Sequence, residues 1–88
     1  MTAIPPEPTT RENLLSLAKL DSRAVVQRAT FWGDLTLAKS AVQCFGVASV
    51  ASHGHGPVDI WDARASDLVA FCELTATWPQ ALMLRNGR

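Results

Sequence analysis

The residues in this 88-residue chain that could bind a metal ion are two histidines and two cysteines. His53 and His55 are separated by one residue, and Cys44 and Cys72 lie on either side of them. Imidazole and thiolate are both zinc ligands, so the residue types permit a zinc site. The spacing does not favour one, because structural zinc sites use closely spaced cysteine pairs. We therefore expect these four residues to bind no metal, and both cysteines to be reduced and buried.

The chain also contains the residue types of a cysteine nucleophile and its partners: Cys72, with His53 or His55 and with Asp59 or Asp62. Such partners meet in space rather than in sequence, so their spacing does not test the idea. The chain has no nucleophile elbow and no glycine-rich phosphate-binding loop. We therefore expect a protein that is not an enzyme and that needs no cofactor.

Residues 74–87 resemble the turn and second helix of small helix-turn-helix repressors. Phe71 and Thr75 depart from that pattern, because a small residue and a glycine are usual at their positions. The side chains that such a helix would offer to DNA are Gln80, Arg85 and Arg88. The eight basic and eight acidic residues cancel, which removes the positive charge expected of a nucleic-acid-binding surface. DNA binding is therefore an alternative, and a nucleic-acid partner is not expected.

Residues 35–52 have the spacing of an amphipathic helix whose polar side disappears after Gly46. Val47 and Val50 lie where Lys39 and Gln43 would project one or two turns earlier, so the end of this helix would be apolar all round. Such a surface must be buried, and a short chain supplies little of its own to bury it. Three tryptophans add more apolar surface, and tryptophan is enriched at the centres of protein interfaces.

The elements that would position these residues are predicted to be helices. Thr9 and Glu12 have capping-box spacing before a first helix, and a restart near Asp21 begins a second that carries residues 25–32. Asp34 caps the helix at residues 35–52, Ser66 or Asp62 caps the next, and Pro79 begins a short last helix. The predicted fold is all-α: a single small domain of four or five short helices, with a possible short extended segment near residues 58–61. Residues 1–8 are predicted to be a flexible proline-rich arm, and residues 9–88 the domain.

These observations predict a small non-catalytic protein-protein interaction module, acting as a regulator or inhibitor or as a homo-oligomer. Its partner would be another protein or a second copy in a homodimer, bound through an apolar helix face. The predicted partner-binding residues are Trp32, Val47, Val50, Ala51 and Trp78. A small metal-binding protein is a second alternative, after the repressor. No signal peptide or membrane-spanning run is visible, so we expect a cytoplasmic protein with no membrane partner.

Overall fold

The computed structural model describes residues 8–46, 49–52 and 56–84, which form three helices and a four-stranded sheet. In chain order the elements are α1 (Pro8–Leu20), β1 (Val25–Gly33), α2 (Leu35–Phe45), β2 (Val50–Ser52), β3 (Gly56–Arg64), α3 (Ala65–Thr75) and β4 (Ala81–Leu84). The strand order is β2-β3-β1-β4, and all neighbours are antiparallel. After α1, this is the β-α-β-β-α-β connectivity of the ferredoxin-like arrangement. The predicted all-α, purely helical protein is therefore wrong, and the fold is α+β.

The predicted second helix is wrong because its residues form β1, a central strand of the sheet. Val26, Ala29 and Phe31 are its fully buried residues. The register against β4 shifts between Val26 and Arg28, so Gln27 is the extra residue of a β-bulge. Because of the bulge, the successive buried residues Val26 and Ala29 are three positions apart, whereas in a regular strand they would be two positions apart. Buried residues three apart imitate the spacing of a helix, which explains the error.

The helix predicted for residues 35–52 is correct in its first part and wrong in its second. Asp34 is its N-cap, as predicted, and its Oδ1 accepts from the backbone N–H groups of Thr36 (3.0 Å) and Leu37 (3.2 Å). The helix ends at Phe45, where Gly46 adopts a φ of 83°. Val50–Ser52 then forms the edge strand β2, so Val50 and Ala51 do not lie on a helix face.

The predicted last helix is also wrong, because Ala81–Leu84 forms the edge strand β4 beside β1. The Gln80 backbone N–H donates to the Thr30 carbonyl at 2.8 Å, immediately before the paired residues begin. Leucine, methionine and alanine are good helix formers, but intrinsic preference is worth little per residue, and strand pairing overrides it here. The predicted extended segment near residues 58–61 lies within β3, which is longer than expected.

The helices supply residues to a hydrophobic core on one side of the sheet. Phe71 of α3 lies at its centre, with ring centroids 5.4 Å from Phe31 of β1 and 5.3 Å from Phe45 of α2, both edge-on. Leu14 of α1 is fully buried in the same cluster. The sheet residues of this core are Val26, Ala29, Phe31, Val58, Ile60 and Ala63. The side chains between them therefore project from the opposite side of the sheet.

Candidate functional site

The side of the sheet opposite the helices carries two tryptophans and a methionine, and we call it the open face. Residues directly opposite on antiparallel strands share a face, so strand pairing defines its members. None of them is buried; Trp32 is 54% exposed and Met83 39%. The open face consists of Arg28, Thr30, Trp32, Ala51, Pro57, Asp59, Trp61, Ala81 and Met83.

Arg28 and Trp61 form one pair across the two central strands. They are directly opposite on β1 and β3, and the Arg28 guanidinium carbon lies 5.3 Å from the centroid of the Trp61 ring. A guanidinium at this distance from an indole makes a cation–π interaction. The contact orients both side chains, and Met83 of β4 lies opposite Arg28 on its other side.

Thr30 and Asp59 form the next pair and the polar centre of the open face. The Thr30 hydroxyl donates to Asp59 Oδ1 at 2.7 Å, and both residues are half-buried. A hydroxyl–carboxylate bond is charge-assisted and stronger than a neutral one. Ala51 lies opposite Asp59 on β2, and Ala81 lies opposite Thr30 on β4. The polar pair is thus flanked on both edge strands by small apolar side chains.

Trp32 and Pro57 form the third pair, at the end of β1. The Trp32 ring leans over Gly56, since a Cβ at that glycine would lie 2.7 Å from Trp32 Cζ3. Gly56 also has a φ of 82°, a conformation that glycine adopts without strain. The backbone beneath the ring therefore suits glycine for two reasons, and the outer part of Trp32 stays in solvent.

The structure separates the predicted partner-binding residues. Trp32 and Ala51 lie on the open face, whereas Val50 is opposite Ile60 and packs against the core. Trp78 packs against the core from the loop before β4, with Arg11 of α1 4.7 Å from its ring centroid. Val47 lies outside the described residues. Trp32 and Trp78 are therefore not two anchors of one surface.

The residues predicted for DNA recognition do not lie on a helix. Gln80 is half-buried in the turn that enters β4, and its backbone is bonded to Thr30. Arg85 and Arg88 lie outside the described residues. Because α3 is followed by a strand, the described part of residues 74–87 has no second helix to enter a DNA groove.

The two cysteines have different surroundings, and both are free thiols. Cys72 is fully buried on α3, as predicted, whereas Cys44 on α2 is exposed, contrary to the prediction. Burial, with a smaller contribution from the charge of Glu73, raises the pKa of the Cys72 thiol to about 12. Cys72 is therefore protonated at neutral pH, which argues against its use as a nucleophile.

Of the four candidate metal ligands, Cys44 and Cys72 lie among the described residues. His53 and His55 lie outside the described residues. Within the ranges that the structure describes, no three histidine, cysteine, aspartate or glutamate side chains are grouped closely enough to hold a metal ion.

A second apolar surface lies in the groove between α2 and β2. Leu35 (54% exposed) and Val42 (37% exposed) line it, with Ala38 beneath them. Lys39, Gln43 and Ser52 complete its walls, and none of its lining residues is aromatic. The groove therefore lacks the tryptophan and arginine side chains that are enriched at the centres of protein interfaces and that the open face carries.

Alternation of residue types along the two central strands is the sequence signal for the open face. Thr30 and Trp32 alternate with buried Phe31, and Asp59 and Trp61 alternate with buried Ile60. This period of two is typical of half-buried strands. Arg28 was missed because the bulge at Gln27 interrupts that period, and Met83 was missed because its four-residue strand was predicted to be a helix.

Comparisons of the chain with protein-family models, with curated proteins and with solved structures find no match. Among the described residues, the helices are too short or too polar to cross a lipid bilayer. The ferredoxin-like arrangement supports many unrelated functions, so the fold by itself indicates none of them. The case for a function therefore depends on the open face.

Proposed function

We propose that this protein is a non-catalytic protein-protein interaction domain and that the open face is its binding surface. The observation that carries the proposal is the one-sided burial of the sheet: among the residues that the structure describes, the core lies on the helix side, while Trp32, Trp61 and Met83 project from the other. Trp32 is 54% exposed and Met83 39%, and tryptophan and methionine are residue types enriched in protein interfaces. The helix face inferred from the sequence is replaced by this sheet face.

The chemistry of the open face favours a polypeptide partner. Tryptophan, arginine and methionine are enriched in protein interfaces, and Trp32, Trp61, Arg28 and Met83 lie within three neighbouring strands. Pro57 and the two flanking alanines add apolar surface that excludes water around them. The polar groups at the centre, Thr30 and Asp59, are already bonded to each other, so each keeps one hydrogen bond when a partner covers them.

Single-stranded nucleic acid is the competing ligand, since some four-stranded sheets stack bases on aromatic residues of their central strands. Two observations favour protein. The open face carries one cation and one anion, Arg28 and Asp59, and exposed Asp62 and Arg64 add one of each sign at its end. In addition, the Arg28 guanidinium lies over the Trp61 ring, where a base would stack. A neutral surface lacks the phosphate contacts on which such binding depends.

A cytoplasmic location is part of the same proposal. Both cysteines are free thiols, which suits a reducing compartment.

Site-specific photo-crosslinking tests the proposed function. A benzoylphenylalanine side chain is placed at Ala81, an exposed alanine of the open face, and separately at Ala70, an exposed alanine on α3. In cells that express the chain, irradiation should join the Ala81 derivative to a polypeptide, and the Ala70 derivative should give much less product. Crosslinks to nucleic acid at Ala81, equal yields at both positions, or no crosslinks at Ala81 would contradict the proposal.

A further inference from the structure

We propose, resting on the function proposed above, that the occupant of the open face is a second copy of this chain, packed sheet against sheet about a two-fold axis. The axis runs along the strands between β1 and β3. In such an isologous interface, residue i of one copy contacts residue j of the other, and j contacts i. Two sheets packed face to face keep their strands within about 30° of each other at a separation of about 10 Å.

The pairs across β1 and β3 are what make this arrangement self-complementary. A two-fold axis between these strands places each β1 residue over the residue that lies opposite it on β3, now in the second copy. Thr30 then faces Asp59 of the second copy, and because its hydroxyl has a single proton, the bond to Asp59 can pass from its own copy to the second copy with no bond lost. Because sheet twist moves the outer residues out of register, the match is best at this central pair.

The outer pairs are complementary in the same way. Arg28 faces Trp61 of the second copy, which repeats between copies the guanidinium–indole contact found within one copy at 5.3 Å. Trp32 faces Pro57 of the second copy and covers its apolar ring. The outer rows thus bring together groups that attract each other, the central row keeps its number of hydrogen bonds, and no charged side chain lies directly over one of like charge.

The charge of the chain permits this association. Its formal net charge at pH 7 is +0, so two copies do not repel each other at long range. The open face itself has one positive and one negative side chain, Arg28 and Asp59, which suits a partner with the same balance. A partner of strong net charge of either sign would gain less from this face.

The size of the open face predicts a weak dimer. Five residues along β1 and four strands across measure about 16 Å by about 19 Å, or about 300 Å² in projection. Two such faces bury much less than the roughly 1,600 Å² of a standard interface, which places the complex among weak and reversible associations. We therefore expect a dissociation constant on the order of 100 µM, with association visible only in concentrated samples.

Sedimentation equilibrium of the full chain between about 10 µM and about 1 mM tests this proposal, since that range brackets the expected dissociation constant. The average mass should rise from 9.5 kDa toward twice that value. Trp32→Glu should weaken association at least about tenfold, because it buries a charge against apolar groups. Leu20→Glu is the matched control, since Leu20 is 85% exposed at the end of α1, and it should associate like the unmodified chain.

Met83→Glu provides a second open-face variant if Trp32→Glu does not fold, with folding checked by circular dichroism. The proposal is overturned if the unmodified chain stays at 9.5 kDa throughout, or if the open-face variants and Leu20→Glu associate equally well. Added salt should leave association nearly unchanged, because the interface is mainly apolar. If the chain stays monomeric but still crosslinks to another polypeptide through Ala81, the proposed dimer is wrong and the proposed interaction domain is retained.

Discussion

Arg28 and Trp61 lie directly opposite each other on the two central strands, with the guanidinium carbon 5.3 Å from the indole centroid. This contact lies on the open face, whereas the described helix residues of the core pack on the opposite side of the sheet. It therefore joins two strands through the face proposed for binding, rather than through the hydrophobic core. Its strength can be measured separately from that of the core.

A double-mutant cycle on Arg28 and Trp61 measures that contact. We expect Arg28→Ala to lower the free energy of unfolding by about 0.5–1 kcal/mol, the range for a partly exposed cation–π pair. In a Trp61→Leu background the same change should cost much less, because the ring that attracts the cation is gone. Urea unfolding of the four proteins at low concentration, where they are monomeric, gives the coupling energy. An equal cost in both backgrounds would show that the pair does not interact.

Gly56 and Gly46 allow the position of Trp32 to be tested independently of backbone strain. Both have a positive φ, 82° at Gly56 and 83° at Gly46, so Gly→Ala should cost about 1–3 kcal/mol in backbone strain at each. Only at Gly56 does the new methyl group meet the Trp32 ring, because nothing lies within 4 Å of the corresponding position at Gly46. Gly56→Ala should therefore displace Trp32, and Gly46→Ala should not.

Tryptophan fluorescence is the measurement for this pair of variants. Gly56→Ala should change the emission and the acrylamide quenching of Trp32, with Trp32→Phe used to identify its contribution. Gly46→Ala should leave both unchanged at the same fraction folded. If the two variants give the same spectra, Trp32 does not lie over Gly56.

Part of the core and one helix cap were predictable from the sequence, whereas α3 begins after Arg64 and not after the predicted Asp62 or Ser66. Asp34 was identified as a helix cap because its side chain acts on amides two and three residues away, a purely local interaction. The α1 and α3 helices were predicted because Leu14 and Leu17 on the first, and Leu68 and Phe71 on the second, keep the three-residue spacing of a buried helix face. Short-range chemistry decides these features, so one sequence is sufficient to read them.

The sheet was missed because its pattern depends on distant residues. Val26 and Ala29 are spaced as on a helix only because Gln27 is bulged against β4, more than fifty residues later in the chain. Ala81–Leu84 has helix-forming residues, and its strand conformation comes from pairing with β1. Residue type alone predicts the tryptophans to be interface residues, and that stays a prediction. Which of them share a surface followed from strand order, which the sequence alone does not supply.

The buried thiol of Cys72 predicts a specific pH dependence of stability. Its pKa rises from 9.0 to about 12 in the folded protein, so the folded state keeps a proton that the unfolded state releases. This contribution to stability is fully present below pH 9.0 and is lost as the pH rises toward about 12. Over that window the free energy of unfolding should fall by up to about 1.4 kcal/mol per pH unit because of this thiol.

Cys72→Ala separates the thiol from the other groups that titrate in alkaline solution. Denaturant unfolding from pH 7 to pH 11 should show a smaller decline in the variant than in the unmodified chain. A thiol reagent at pH 8 should modify exposed Cys44 quickly and Cys72 only after unfolding. Parallel pH profiles, or rapid modification of both cysteines in the folded protein, would show that Cys72 is not buried as described.

The most direct test of the open face as a binding surface is to follow the three indole N–H signals by ¹H–¹⁵N NMR during dilution. Trp32 and Trp61 lie on the open face and Trp78 packs on the helix side, so each variant Trp→Phe assigns one signal and one location. Between about 1 mM and about 10 µM, across the expected dissociation constant, the Trp32 and Trp61 signals should shift together while that of Trp78 stays in place. Three signals that do not depend on concentration, or a shift confined to Trp78, would contradict the sheet-to-sheet dimer.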